Sequence, residues 1–234
     1  MMDQGETRTR NASVYSRLKT DILECHYMPD ERLRFDDLRL RYEVTVGPIR
    51  EALMRLMSES LVSGEEHKGF RVTGVSAEQL RDITSVRHEV EALAIRWAIE
   101  KGGDEWEAAV VGKYHALSIR PMQTAGNDHR LDPEWERRHK DFHAALYQAC
   151  GSVWLTQFCN LLRDQTDRYR RLWFRQFSDT RDIDAEHRAL TEAVTRRNAE
   201  TATTLIRGHI ARTADALIGY IESGRGFTLG RDGN

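Results

Sequence analysis

The sequence predicts a mainly α-helical protein with two domains. The N-terminal domain is expected to be a winged helix-turn-helix, made of three helices and a β-hairpin wing, and the C-terminal domain an all-α antiparallel helical bundle. Two observations predict this fold. Patterns typical of short helices and strands follow one another closely in the first 75 residues, and after them the apolar residues recur only at helical spacing. A length of 234 residues accommodates two modest domains. The expected division is a flexible N-terminus (1–12), the first domain (13–74), a linker (75–77), the helical domain (78–223) and a flexible tail (224–234).

Composition supports a folded chain but does not identify a partner. Apolar residues make up 40% of the chain and charged residues 31%, which is enough to form a core with a well-solvated surface. The formal net charge of −2 gives no indication of nucleic-acid binding. The three cysteines have neither metal spacing nor a disulfide pattern. Because we find no run of eighteen apolar residues and no apolar core of a secretory signal, we expect a cytoplasmic protein without membrane contact.

The first domain is predicted from local signals. Apolar residues at helical spacing place one helix over residues 13–24 and a short one over 36–42. A third helix begins near Thr45, a good N-cap, with Pro48 in its first turn, where the missing N–H is harmless. Residues 61–62 and 70–72 are predicted strands.

The third helix is the candidate DNA-reading element. In a winged helix-turn-helix this helix enters the major groove with its N-terminal residues facing the base edges. Those residues are Thr45, Val46 and Gly47. Arg50 follows one turn later, away from the apolar face, where it could bind guanine or phosphate. Lys68 and Gly69 at the wing tip suit a minor-groove or phosphate contact. A solvated Arg50 and an ordinary hairpin would fit the same pattern, because small three-helix units are common.

The second domain begins at a strong helix start. Ser76 can cap the first helix, and Gln79 can complete a capping box. Gly102 and Gly103 end that helical segment, and residues 120–133 form a polar loop. Further helices are predicted over residues 134–150, 153–177, 183–197 and 199–223.

Four of the nine histidines form a pattern typical of a metal site in a helical bundle. His139 and His143 are four residues apart and therefore share one helix face. His187 and His209 lie on two later helices, and bundles build metal sites from facing helices in this way. Imidazole ligands favour Zn²⁺ or Ni²⁺ over Ca²⁺ or Mg²⁺. The alternative is a set of surface histidines on separate helices.

The N-terminal domain resembles the GntR family of bacterial regulators. The resemblance is carried by VTVGPIREALMRLMSESLV (44–62) and by KGFRV (68–72), which is similar to the family's wing. It implies DNA binding with Arg50 as the recognition arginine and Thr45 at the helix start. The chain departs from the family at Asp36, where an arginine is usual, and at Val46, where one is frequent. Arg34 is the candidate replacement for the lost phosphate contact.

The helical domain resembles the FCD domain, the effector domain of the FadR subgroup. The resemblance is carried by the segments HKDFHAALYQACGS, AEHRALTEAV and LIRGHIARTADAL. It implies a metal held by an acidic residue and three histidines, which map onto His143, His187 and His209, with His139 at the acidic position. Either His139 ligates in place of the carboxylate, or three histidines and water hold the ion; the first is preferred. Neutral imidazoles leave a divalent charge uncompensated, which favours an anionic ligand.

The resemblance also implies where an effector binds. Arg87 lies where FCD domains place a pocket arginine, although it could instead be a surface residue or pair with Glu91. Arg168 is the second candidate effector-binding residue, and Arg171 has weaker support. Four further segments are LKTDILECHYMPDERLR, RYEVTVGPIREAL, AIEKGGDEWEAAV and RHKDFHAA. Through them the chain resembles, over nearly its whole length, regulators of glutarate and 4-aminobutyrate catabolism within the subgroup. A small dicarboxylate such as glutarate is therefore the expected effector.

The expected function is a ligand-responsive repressor of a catabolic operon. A palindromic double-stranded operator requires two recognition helices, so we expect a homodimer that forms through the helical domain. One alternative is a sensor in which the metal itself is the signal. The other is a metalloenzyme, which is disfavoured because no motif places a general base near the histidines and the first domain would be unexplained.

Overall fold

The computed structural model describes residues 4–65, 69–124, 131–174 and 182–223. The chain divides into two compact units, Met1–Val75 and Ser76–Asn234. The two predicted strands and the three predicted helices of the first unit are present, with a third, shorter strand. Its elements are α1 (Gln4–Leu23), β1 (Arg32–Leu33), α2 (Phe35–Tyr42), α3 (Val46–Ser58), β2 (Val62–Glu65) and β3 (Gly69–Val72).

Apolar side chains at helical spacing hold the first unit together. Leu18 on α1 and Ile49, Leu53 and Leu56 on α3 are fully buried in one cluster, and the two helices pack against each other. Burying a side chain of this kind stabilises the fold by about 1.5–3 kcal/mol. The sheet has the antiparallel order β1-β3-β2, with Val62 paired to Val72. This is the predicted winged helix-turn-helix.

Two features of the first unit differ from the sequence-based expectation. The N-terminus was expected to be flexible through residue 12, but residues 4–12 continue α1. Their polar side chains give no apolar periodicity, so the start of the helix could not be located from spacing. Strand β1 was not predicted, because two residues are too few to show an alternation; it forms by pairing Arg32 with Arg71 and Leu33 with Phe70.

The second unit is the predicted all-α bundle. Among its described residues, no helix is both long and apolar enough to cross a membrane. The expected tail, residues 224–234, lies outside the described residues. The α-helices are α4 (Ala77–Lys101), α5 (Asp104–Ser118), α6 (Pro133–Tyr147), α7 (Val153–Phe174), α8 (Ile183–Thr195) and α9 (Ala199–Glu222).

The start of α4 follows the predicted capping box with one addition. The Ser76 hydroxyl accepts a hydrogen bond from the Gln79 backbone N–H at 3.1 Å. The Ser76 N–H donates to the Tyr169 hydroxyl, which donates to Gln79 Oε1 at 2.8 Å. Tyr169 therefore closes the capping box and fixes α7 against the beginning of α4.

The placement of α6 depends on α5. Trp106 on α5 is buried and donates from Nε1 to the Ala145 carbonyl at 2.8 Å. A Cβ at Gly102 would lie 2.3 Å from the Trp106 ring, so the chain needs glycine at this point. Phe142 and Leu146 on the same face of α6 enter the main core, with Leu190 on α8. Because apolar side chains fix these helices, the polar side chains between them have fixed positions too.

Candidate functional site

The four predicted histidines meet in the interior of the bundle. His139 and His143 lie on α6, His187 on α8 and His209 on α9, and all four are buried. One potential ligand atom from each lies within 4.8 Å of all the others. The alternative of separate surface histidines is therefore wrong.

The chemistry of this cluster fits a divalent transition metal. Zinc binds histidine nitrogen at about 2.0–2.1 Å, so two nitrogens on one tetrahedral ion lie about 3.4 Å apart. The Nε2 atoms of His139 and His143 are 3.1 Å apart. Burial, with the neighbouring positive groups, holds the pKa of both rings well below the ordinary value. The rings are therefore neutral, which is the form that ligates a metal.

His209 and His139 have different hydrogen-bond partners outside the cluster. His209 Nδ1 lies 2.7 Å from Glu186 Oε2, the carboxylate–histidine pairing that orients metal ligands. His139 Nδ1 faces Arg170 Nη1 at 2.8 Å. The Trp135 ring stacks on His139 with 4.8 Å between the ring centroids. Two histidines of one cluster thus have outer partners of opposite charge.

A cavity adjoins the histidines and is lined by three arginines, Arg87, Arg163 and Arg170. Three of the four histidines, His139, His143 and His209, also contribute to its lining. The cavity therefore places a candidate metal cluster and several positive side chains in one small space. Its three arginines outnumber the one carboxylate in the lining, that of Asp167, which suits a small anion.

Arg87 lies in the cavity wall, as the resemblance implies. It also forms the pair with Glu91 that the sequence left open as an alternative to a role in the pocket. Its Nε donates to Glu91 Oε1 at 2.7 Å and its Nη1 to Thr166 Oγ1 at 2.7 Å. The pair is buried, with the Glu91 side chain 1% exposed. Much of the charge of Arg87 is therefore already compensated.

Arg168 does not line this cavity, although the sequence suggested it as an effector ligand. It is buried, and it lies two residues from Arg170, which turns its side chain about 200° away around the helix. Arg171 is also absent from the lining and pairs with Glu136 at 2.6 Å.

Arg163 and Arg170 are cavity arginines that the sequence reasoning missed, and Arg163 is the more deeply buried of the two. Arg163 is 3% exposed, and its Nη2 donates to Asn160 Oδ1 at 2.7 Å. Within the described parts of the chain, its Nε and Nη1 have no hydrogen-bond partner. The signal that could have found it is its spacing of three and seven residues from Thr166 and Arg170, which places all three on one face of α7.

The candidate DNA-reading residues lie at the start of α3. Thr45 occupies the N-cap position, although its side chain makes no capping hydrogen bond. Val46 is half-buried and Gly47 is exposed. Arg50 is exposed, and its guanidinium lies 5.7 Å from the centroid of the Phe35 ring.

The remaining predicted contacts flank that helix. Arg34 is exposed at the N-cap of α2, and Asp36 is exposed in the first turn. Gly69 begins β3 with a φ of 83°, a left-handed conformation that glycine adopts without strain. Lys68 lies outside the described residues. Phe35, which the sequence reasoning missed, packs edge-on against Phe70 of the wing at 5.9 Å.

The fold and the two sites together define a class of protein: a winged-helix DNA-binding regulator with a helical ligand-binding domain. Residues 10–72 match the family model described as bacterial regulatory proteins, gntR family, and residues 82–212 match the FCD domain. The chain is 40% identical to the HTH-type transcriptional repressor GlaR of Escherichia coli (strain K12), over 84% of this chain and 90% of that protein. It is 39% identical to the HTH-type transcriptional regulator BphR of Paraburkholderia xenovorans (strain LB400), over 88% and 84%.

The fold agrees with a solved structure. The E. coli protein McbR/YncC superposes with a TM-score of 0.73 at 21% identity, over 92% of this chain and 98% of that one. The chain belongs to the GntR family, in the FadR-like subgroup with an FCD domain. It is accordingly a DNA-binding transcription regulator and not an enzyme.

The buried Arg87–Glu91 pair gives a stability prediction. Glu91→Ala removes one partner and leaves a buried guanidinium uncompensated, so the free energy of unfolding should fall by about 3–5 kcal/mol. Urea denaturation followed by circular dichroism measures the change. The matched control is Glu192→Ala, which breaks an exposed pair with Arg196 and should change stability little. Equal losses for both variants would contradict the assignment.

Proposed function

We propose that this chain is a homodimeric repressor of a catabolic operon, which leaves its operator when a small carboxylate binds its helical domain. The observation that carries the proposal is the cluster of four buried histidines beside a cavity lined by arginines, on a chain that also has a winged helix. A dicarboxylate such as glutarate is the proposed effector. Because the operator is chromosomal DNA, the proposed compartment is the cytoplasm.

The histidine cluster would hold Zn²⁺ or Ni²⁺. His143, His187 and His209 are the proposed ligands, with His139 as the fourth member of the cluster. All four histidines are neutral, so a bound ion would keep a charge close to +2. Such an ion attracts an anion and can take a carboxylate oxygen as a ligand.

The arginines supply a second attachment point for the same effector. Arg87 is compensated by Glu91, and Arg170 contacts Glu136, Asp167 and His139. Arg163 alone of the three has two buried nitrogens without a described partner. A buried donor left unpaired costs about 1–3 kcal/mol, which an acceptor oxygen would recover. A dicarboxylate could place one carboxylate at the ion and the other on Arg163.

A metal sensor is the second candidate function. The observation that favours it is that the cluster is buried and preformed with protein ligands alone, so that metal by itself could stabilise one arrangement. In either case, the signal changes DNA binding only if the ligand has different affinities for the DNA-bound and released states. Release by metal without any acid would favour the sensor.

The homodimer is supported by an exposed apolar surface on the helical unit. Val86 and Leu93 of α4 are exposed, as are Trp154 and Phe158 of α7, at 73% and 52%. The two helices are neighbours here, since Cys159 Sγ lies 3.9 Å from the Val90 carbonyl. Exposed apolar patches of this kind mark association surfaces. We propose that a second copy of the chain covers this patch.

Trp154→Glu combined with Phe158→Glu should therefore convert the dimer to a monomer. The charged side chains would have to be buried without partners, which outweighs the association free energy. Light scattering at micromolar concentration measures the mass. Ile119→Glu is the control, because this exposed residue lies at the end of α5, and it should leave the dimer intact. A monomeric wild type would refute the dimer itself.

Arg50→Ala should abolish specific operator binding and leave the fold intact. One bidentate contact to guanine is worth roughly 1–3 kcal/mol, and a dimer loses two. Fluorescence anisotropy with operator and with unrelated DNA measures the specific part. Arg55→Ala is the control, because Arg55 lies in the last turn of the same helix and stacks on Tyr15. Affinity retained within about threefold would show that Arg50 does not contact the operator.

His187→Ala should remove both the metal and the response to the acid, while DNA binding survives. Arg163→Gln should keep the metal but weaken the response, because only the second carboxylate loses its partner. Metal content and glutarate-induced release of DNA are the two measurements. Arg207→Gln, which changes a partly exposed arginine on α9 that pairs with Glu89, should behave like wild type. Normal release by His187→Ala would mean that the effector binds elsewhere.

A further inference from the structure

The hydrogen bond between Arg170 and His139 determines which nitrogen of His139 carries a proton. A guanidinium has only N–H donors and no acceptor. His139 Nδ1, 2.8 Å from Arg170 Nη1, must therefore accept and cannot carry a proton. In a neutral imidazole the proton is then on Nε2.

The protonated nitrogen is the one that faces the cluster. His139 Nε2 lies 3.1 Å from His143 Nε2, which acts as the acceptor in the metal-free state. A nitrogen that binds a metal ion must offer a lone pair. If His139 ligated through Nε2, its proton would move to Nδ1 and would face an Arg170 N–H across 2.8 Å. Two donors would then oppose each other in a buried site, at the cost of an unsatisfied hydrogen bond.

His209 shows the opposite arrangement within the same cluster. Its Nδ1 faces the Glu186 carboxylate, which can only accept while ionised. The proton is therefore on Nδ1, and Nε2 has a lone pair for an ion. Outer partners set the tautomer of metal-ligating histidines in this way.

Arg170 is held in place by groups other than His139. Its side chain is 9% exposed, and its Nη2 lies 3.3 Å from Asp167 and 3.4 Å from Glu136. Its guanidinium also lies 5.8 Å from the centroid of the Trp135 ring. Turning it away from His139 would disturb these contacts.

We propose that Arg170 keeps His139 out of the coordination shell, so that His139 serves as a hydrogen-bond donor to the anionic effector. The ion would be held by His143, His187 and His209, and its remaining position would be open to a carboxylate oxygen that accepts from His139 Nε2–H. The inference rests on the proposed metal site and assigns a separate role to one of its four histidines. An N–H donor on His139 would favour effectors that offer an oxygen acceptor over amines and other hydrogen-bond donors.

The test compares zinc affinity, measured by chelator competition on the full-length protein, in four variants. His139→Gln preserves a donor and should keep the affinity within about threefold of wild type, whereas His187→Ala should lower it by about a hundredfold or more. Arg170→Gln replaces a donor by a side chain that can accept from Nδ1–H, so His139 becomes a competent ligand and the affinity should rise. Arg171→Gln, at the neighbouring position outside the cavity lining, is the control and should not raise it.

Nitrogen NMR of the protein labelled in its histidine rings gives a second readout. His139, assigned with the His139→Gln variant, should keep the proton on Nε2 after zinc is added to wild type and should lose it in Arg170→Gln. A gain in affinity and a change of tautomer cannot result from misfolding.

The outcomes separate this inference from the proposed function. If wild type binds zinc and His139→Gln loses as much affinity as His187→Ala, His139 is a ligand and the inference is overturned, while the metal site stands. If Arg170→Gln changes neither affinity nor tautomer, the inference is overturned as well. If wild type binds no zinc, the metal site and the inference both fail.

Discussion

Apolar packing between α6, α8 and α9 buries four imidazoles in the interior of the helical unit. Buried polar groups are costly unless they are hydrogen-bonded or bind a ligand. Apolar packing around Phe142, Leu190 and Ile206 brings the three helices together and so forces the rings into one place. The fold thus supplies the free energy that keeps four neutral imidazoles buried side by side.

The charges around the cluster follow from the same burial. Each buried arginine in the cavity wall needs partners that offset its positive charge, and the three arginines have different partners. Arg87 has Glu91, Arg170 has two carboxylates and a histidine nitrogen, and Arg163 has one amide oxygen. Arg163 keeps two hydrogen-bond donors unused among the described residues, while the carboxylates of Asp167, Glu91 and Asp164 offset its charge at longer range.

In the DNA-binding unit, a single aromatic ring links the elements that must act together. Phe35 begins α2, packs against Phe70 of the wing and lies under the guanidinium of Arg50. Cation–π contacts at exposed sites are worth about 0.5–1 kcal/mol. That is enough to favour one orientation of Arg50 but small beside the base contact proposed for it, so the ring would orient the side chain without preventing that contact.

Features that depend on short-range spacing could be predicted from the sequence. Apolar periodicity located the helices, Ser76 and Gln79 located the start of α4, and the separation of His139 and His143 placed both on one face. The start of α1 and the strand β1 could not be predicted in this way, because polar residues and a two-residue strand show no periodicity. Which arginines meet the cavity depends on how α7 packs in the bundle: Arg163 and Arg170 share the face that lines it, and Arg168, which looks the same in the sequence, occupies another face. The contact between Arg170 and His139 joins residues 31 positions apart on different helices. The direction of that hydrogen bond, and with it the proton on His139, is set by the packing of α7 against α6, which local spacing cannot encode.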